Sequence, residues 1–306
     1  MNGVSCNLCG SARYEVRFQS EQHDVTVLDS CHYAATTDVY DGYGRVVECL
    51  RCRLLYTHPR LDATELLAAY RSVEDASYVV EIEGRRGAAL RSLRAIERFK
   101  PSGRLLEVGC ATGILLDVAQ NRWQVEGVEP SHWAAEYARR EFNVPVFAGT
   151  LEEARFPDST FDVVVLADVI EHVADPKGLL REIRRILAPT GIAYVATPDV
   201  DSFFARVMKG AWWGLRPAHI FYFSRLTLQA ALAEAGFRTL AISAYGKYFT
   251  LSYWVSRFKN YNPILCRTAL QILAFCRLKD FLVYVNTHDS IEMIAQRVER
   301  RRNERN

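Results

Sequence analysis

Four of the eight cysteines fall in two C-x-x-C pairs, Cys6-Asn7-Leu8-Cys9 and Cys49-Leu50-Arg51-Cys52. Four thiolates complete a tetrahedral shell for structural Zn²⁺, and a unit too small to build its own core gains folding energy from such a site. Buried or redox-active thiols are the alternative use of these residues. Cys31 and His32 lie between the pairs as substitute ligands. A second constellation is the turn Glu107-Val108-Gly109-Cys110-Ala111-Thr112-Gly113 after a short apolar run. Gly109 and Gly113 lack a Cβ, so the chain can bend sharply and a ligand can approach the backbone. A dinucleotide fingerprint would need glycine where Ala111 and Ile114 stand, and a phosphate loop would need Gly-Lys-Ser/Thr, which is absent. Glu129 closes the next apolar run, where a carboxylate can accept both hydroxyls of a ribose. His172 follows a later run; a near-neutral imidazole there can remove a proton, or simply pack or cap a helix.

The elements that must position these residues follow from hydrophobic period. Residues 1–58 are short and turn-rich, with alternation in Tyr14-Glu15-Val16-Arg17-Phe18 and Val46-Val47-Glu48, and read as a small zinc-binding β module. Residues 59–100 read as a helical linker. Asp62 caps a helix through Leu66, Leu67 and Tyr70, and a second helix runs through Leu90, Leu93, Ile96 and Phe99. Pro101-Ser102-Gly103 marks the start of a domain spanning 101–306. Strands are expected at Arg104 to Gly109, Gln124 to Val128, around Val146 and Phe147, at Phe161 to Leu166 and at Gly191 to Thr197, with amphipathic helices such as Leu179 to Leu187 between them. Alternation of this kind predicts an α/β fold with an open, Rossmann-like parallel sheet.

Taken in order, Glu107-x-Gly109-x-Ala111-x-Gly113, Glu129, Gly149-Thr150-Leu151-Glu152-Glu153 and Phe156-Pro157-Asp158-x-x-Phe161-Asp162 resemble the successive motifs of class I S-adenosylmethionine-dependent methyltransferases. The resemblance implies S-adenosylmethionine as cofactor. Glu107 would face its methionine amino end, and the turn from Gly109 through Cys110 and Ala111 to Gly113 would contact its main chain. Glu129 would hold the ribose, Leu151 and Glu152 would flank adenine, and Asp168 to Ile170 would open onto the methionine and the acceptor. Ala111 departs from the glycine common in the family. Glu171-His172-Val173-Ala174-Asp175-Pro176 is similar to a stretch of the ubiquinone-type O-methyltransferases, whereas the motifs of exocyclic-amine and cytosine C5 enzymes are missing. Pro217-Ala218-His219, Phe223-Ser224 and Gly236-Phe237 are similar to the family's acceptor-side segment, which makes His219 a second candidate base beside His172; Ser224 reads as a helix cap. Asp289 to Ala295 resembles the family's final antiparallel strand. Cys49 to Pro59, with Leu66 to Tyr70, looks like the linker of bacterial methyltransferases encoded among polysaccharide genes.

Within the last domain, residues 246–286 form an aromatic and basic insertion, expected as a lid in which a helical pair covers the acceptor pocket. The alternative is an interfacial surface that admits a lipid-linked acceptor, with Arg257, Lys259, Arg267, Arg277 and Lys279 toward headgroups. The tail from Arg297 to Asn306 is expected as a solvated helix end. With 306 residues, 49% hydrophobic and 24% charged, the chain has the balance of a globular protein. A net charge of +2 gives no chain-wide attraction to nucleic acid. Paired cysteines and no leader-like N-terminus favour the cytoplasm, with contact at the inner membrane face left open. The acceptor is then a small molecule, a sugar or a lipid-linked group, methylated on oxygen or, secondarily, on an activated carbon. The chemistry requires no catalytic metal. A zinc-guided RNA methyltransferase and a noncatalytic S-adenosylmethionine-binding module are the rival readings.

Overall fold

Capping chemistry and burial account for the elements in a computed structural model that describes residues 4–20, 30–37, 42–256, 259 and 262–298. Strands β1 (Tyr14–Gln19), β2 (Arg45–Cys49) and β3 (Leu55–Thr57) pair antiparallel in that order. Val46, Val47 and Tyr56 are fully buried, whereas β1 is largely exposed. Helix α1 (Ala63–Arg71) starts from the expected Asp62, whose carboxylate accepts from Thr64 and Glu65 in a reciprocal capping box. Helix α2 (Ile82–Glu97) begins earlier than its predicted stripe. Leu93 and Ile96 face inward as expected, together with Ala89 and with Ser92, whose hydroxyl meets the buried Tyr194 hydroxyl at 3.0 Å, while Leu90 is exposed.

The chain then alternates strand and helix: β4 (Gly103–Val108), α3 (Ile114–Ala119), β5 (Trp123–Glu129), α4 (His132–Phe142), β6 (Val146–Ala148), α5 (Leu151–Ala154), β7 (Phe161–Ala167), α6 (Pro176–Ile186) and β8 (Leu187–Pro198). Beyond it lie α7 (Phe203–Met208), β9 (Phe221–Tyr222), α8 (Arg225–Glu234) and β10 (Phe237–Ala244). Ser224 caps α8 as expected. An insertion of β11 (Lys247–Thr250), α9 (Leu251–Ser256), α10 (Pro263–Phe275) and β12 (Leu282–Val285) precedes the last strand, β13 (Ser290–Arg297). Strands β11 and β12 form an antiparallel hairpin of their own.

Seven strands make the main sheet in the order β10-β13-β8-β7-β4-β5-β6, parallel except for β13, which runs antiparallel to β8 and to β10. This is the mostly parallel, Rossmann-like sheet expected. From β4 the chain steps outward through β5 to β6, then returns to the other side of β4 to lay down β7 and β8. That reversal leaves a crevice at the carboxyl ends of β4 and β7, the place where open α/β sheets bind ligands. Arg297, expected in a helix end, instead closes β13 opposite Phe237; residues 299–306 of that tail lie outside the described residues. The small sheet has a fourth strand, β9, which pairs with β3 through Leu55↔Tyr222 and Tyr56↔Phe221. No helix among the described residues is long and apolar enough to cross a membrane.

Candidate functional site

The turn after β4 is locked against β5, since the Gly109 and Cys110 amides both donate to the Val128 carbonyl at 2.8 and 3.2 Å. Gly109 (φ 69°) and Gly113 (φ 77°) occupy left-handed backbone, and a Cβ on either would come within 2.6 Å of Val169 or 2.7 Å of Ala138. Ala111 also sits at positive φ (46°), the conformation that explains why glycine is common there; its amide is held by Glu129 Oε2 at 2.8 Å. The other Glu129 oxygen accepts from the Ser131 amide at 2.8 Å. Burial pushes the Glu129 carboxyl above its ordinary range, and the Ser131 and Ala111 amides pull the other way. Glu107 has no such relief: Oε2 is buried without a hydrogen-bond partner, and burial together with Glu129 pushes its carboxyl well above the usual range.

These residues border a cavity of about 1220 Å³, which also takes in Cys110, Leu151, Glu152 and Asp168. An orphaned acidic oxygen beside a backbone cradle suits a cationic amino group, and a second carboxylate anchored by backbone donors keeps lone pairs for hydroxyls. The residues therefore fit the amino and ribose ends of S-adenosylmethionine.

The opposite wall carries the histidines. The turn after β7 places Asp168 (φ 56°), Glu171 and His172 in sequence, and the loop before β9 brings His219 against them; the two imidazole centroids lie 4.7 Å apart at 79°. His219 is buried and its Nδ1 lies 2.8 Å from the Gly214 carbonyl, so Nδ1 carries the proton and Nε2 keeps its lone pair. His172 Nδ1 lies 3.0 Å from the Ala218 carbonyl and 2.7 Å from the Tyr70 hydroxyl of α1. Burial lowers His172 to about 4; burial, then the adjoining His172 ring against which a second charge would be repelled, and the Arg216 cation carry His219 well below its ordinary value, so both imidazoles are neutral near pH 7.

Sequence reasoning assigned no role to Glu171, Tyr70 or Lys247. Glu171 is 1% exposed with neither oxygen hydrogen-bonded, and burial, then Asp168, push it up to about 8. Its donor oxygen and the two imidazoles all lie within 4.8 Å of one another. Lys247 of β11 reaches Asp168 Oδ2 at 2.6 Å and so places a cation in the cavity wall. The Glu-His dipeptide was the available signal for Glu171; nothing local marks Tyr70 or Lys247, which arrive from distant elements.

All four expected cysteines converge. Cys6 and Cys52 sulfurs are 3.4 Å apart, as are Cys9 and Cys49, and all four lie within 4.8 Å of one another. Zn–S bonds of about 2.3 Å in a tetrahedron put sulfurs about 3.8 Å apart, so the cluster has the right dimensions. Nothing is described of the Cys31 side chain; His32 is described and lies in the cavity lining rather than in the cluster. The first knuckle also grips the turn after His172: Asn7 donates to Asp175 Oδ1 at 2.8 Å and accepts from the Lys177 amide at 3.2 Å.

A probable S-adenosylmethionine-dependent methyltransferase of Mycobacterium tuberculosis is 32% identical over 140 residues, which cover 45% of this chain and 50% of that protein. The ubiquinone biosynthesis O-methyltransferase of Azorhizobium caulinodans is 30% identical over 164 residues, 49% of this chain and 63% of the relative. The chain thus spans about half the length of the first of these relatives and less than two thirds of the second. In fold, an S-adenosylmethionine-dependent methyltransferase from Archaeoglobus fulgidus superimposes with a TM-score of 0.51 at 18% identity, covering 73% of this chain and all of that one. A family model described as a methyltransferase domain matches residues 79–242, more than half of the chain. With the parallel strands β4 to β8, the glycine turn and both strand-end acids inside that match, the chain belongs to the class I S-adenosylmethionine-dependent methyltransferase family.

Proposed function

We propose that the protein methylates an oxygen of a small-molecule, sugar or lipid-linked acceptor, with Glu107, Glu129 and the 109–113 turn holding S-adenosylmethionine. The observation that carries this reading is one cavity with an orphaned carboxylate and a glycine turn on one wall and two neutral, adjoining imidazoles on the other. When bound, the cofactor supplies an electrophilic methyl group on a sulfonium. The chain's own task is to align an acceptor oxygen and to take its proton in a site shielded from water. His219 Nε2, whose lone pair is left by the Nδ1 bond to Gly214, and His172 are the two groups suited to accept that proton. Glu171 lies against both, and its carboxyl can accept a hydrogen bond from an imidazolium once one forms beside it. Lys247 compensates Asp168 at the same wall.

Cys6, Cys9, Cys49 and Cys52 hold one structural Zn²⁺ in this reading, supported by their convergence and thiolate chemistry. Incubating the protein with labelled S-adenosylmethionine and fractionated bacterial metabolites and lipids tests the function. Label is expected in a hydroxyl-bearing fraction. Cofactor binding with no transfer into any fraction would make the chain a binding module instead.

A further inference from the structure

Helix α10 has one buried residue, Cys266, and turns its largest apolar side chains away from the protein. Ile264 is 77%, Leu265 66%, Ile272 57% and Phe275 91% exposed. At about 100° per residue these four fall within roughly a quarter-turn of the helix, on the side opposite Cys266. Phe281, 60% exposed, and Leu282 extend the apolar surface into β12. The expected helical pair over the pocket is thus only half present. Tyr253 and Trp254 of α9 line the cavity, whereas no residue of α10 does.

Charge indicates what covers this face. Residues 246–286 contain six lysines and arginines and a single acid, Asp280, so the segment carries +5 in a chain of net charge +2, and the rest carries −3. Arg267 lies beside the apolar arc, and Arg277 and Lys279 follow its end; all three are exposed. Arg257, which the sequence also placed in this surface, lies outside the described residues. An apolar helix face bordered by cations on an otherwise acidic molecule matches the interface of an anionic bilayer, with apolar side chains at the acyl boundary and cations among phosphates. A soluble protein partner would have to supply both an apolar groove and a matching acidic rim.

We propose that α10 and the start of β12 seat the protein on an anionic membrane surface. The hairpin β11–β12 and α9 then lie between bilayer and cavity, so an acceptor with a lipid tail reaches the site from the membrane. That last step rests on the methyl-transfer reading; the docking itself does not.

The test is co-sedimentation of the full chain with phosphatidylcholine vesicles, with and without about one third phosphatidylglycerol, across a salt series. Binding only to the anionic vesicles, weakening as salt rises, is expected. Phe275→Ser with Ile264→Ser should weaken partition by at least about ten-fold, and Arg277→Glu by roughly five-fold or more. These side chains are exposed, so circular dichroism and S-adenosylhomocysteine affinity should stay unchanged, which separates failure of docking from failure of the cofactor site. Absence of binding at low salt, or binding indifferent to both variants, overturns the proposal. So does a concentration-dependent dimer abolished by Phe275→Ser, which would give the face to a second copy of the chain.

Discussion

Glu107 and Glu129 end adjacent strands, yet only Glu129 has backbone donors. Burial and the neighbouring Glu129 therefore favour the neutral form of the Glu107 carboxyl in the unliganded chain, whereas pairing with a cationic amino group favours the ionised one. Cofactor binding should release a proton, and affinity should fall as pH drops below the raised value. Calorimetry in buffers of different ionisation heat measures this, and Glu107→Gln should abolish the release. Glu129→Ala removes the acceptor of two amides and the ribose anchor together; at about 1.5–3 kcal/mol per charge-assisted bond, cofactor affinity should fall by an order of magnitude or more.

On the acceptor wall, His172→Ala or His219→Ala should lower turnover by about 10²- to 10⁴-fold, whichever is the base, while leaving cofactor affinity nearly intact. Stability carries a separate signature. Burial lowers His172, so its contribution is complete above pH 6.5 and is lost as pH falls toward 4. Burial and Asp168 raise Glu171 instead, so its contribution is present below 4.5 and is lost as pH rises through 8. Of these two groups only Glu171 acts between pH 6.5 and 8, where the raised carboxyls Glu107 and Glu129 pull in the same direction. Melting temperature should decline there, and Glu171→Gln should flatten the decline.

At the scale of elements, the lid hairpin packs on α2 and is tied to Glu81, the residue that precedes that helix, by a buried hydrogen-bond pair. Thr250 donates from its amide and its hydroxyl to the Glu81 carboxylate at 3.2 and 2.5 Å. Glu81→Ala removes the shared acceptor of that amide and hydroxyl, leaving the hydroxyl only Ser252 and the Tyr253 amide as partners, so protease cleavage within 251–281 should quicken while the sheet stays resistant. The main sheet was legible because its strands are apolar runs ended by turn residues, as in Phe161 to Leu166, and because capping residues such as Asp62 and Ser224 act locally. The burial of Ser92 in place of Leu90 was not, since its partner Tyr194 lies 102 residues away. Nor was the orientation of α10, whose apolar residues read alike for a helix covering a pocket and for one facing away. At the site, local motifs pointed to Glu107, Glu129 and the cysteines, and the structure places the two acids on one cavity and the cysteines in one cluster; each lies within a short segment that a local pattern can mark. Tyr70 and Lys247 depend on pairings 102 and 79 residues apart, which no local pattern records.

For the whole molecule, the four-cysteine segment and the methyltransferase domain do not behave as separable parts. Beyond the Asn7 contacts, Arg60 donates to the Ala174 carbonyl at 3.2 Å and stacks over Phe221, and the Thr57 hydroxyl donates to the His219 carbonyl at 3.2 Å. Metal analysis should find about one zinc per chain, from the four thiolates. Chelation or Cys9→Ser should lower both the melting temperature and turnover, because the turns bearing His172 and His219 lose their support. Zinc loss that left turnover untouched would show the segment to be an appendage.

The pairing of β3 with β9 also bears on how the chain is made. About 165 residues separate Tyr56 from its partner Phe221. A ribosome adds roughly 5–20 residues per second, so the early strands wait on the order of ten to thirty seconds for the one that completes their sheet. Throughout that interval β3 presents an open backbone edge, a template on which a neighbouring nascent copy can pair. Soluble yield should therefore depend on how crowded the nascent chains are, and slower, sparser synthesis should favour the correct partner strand.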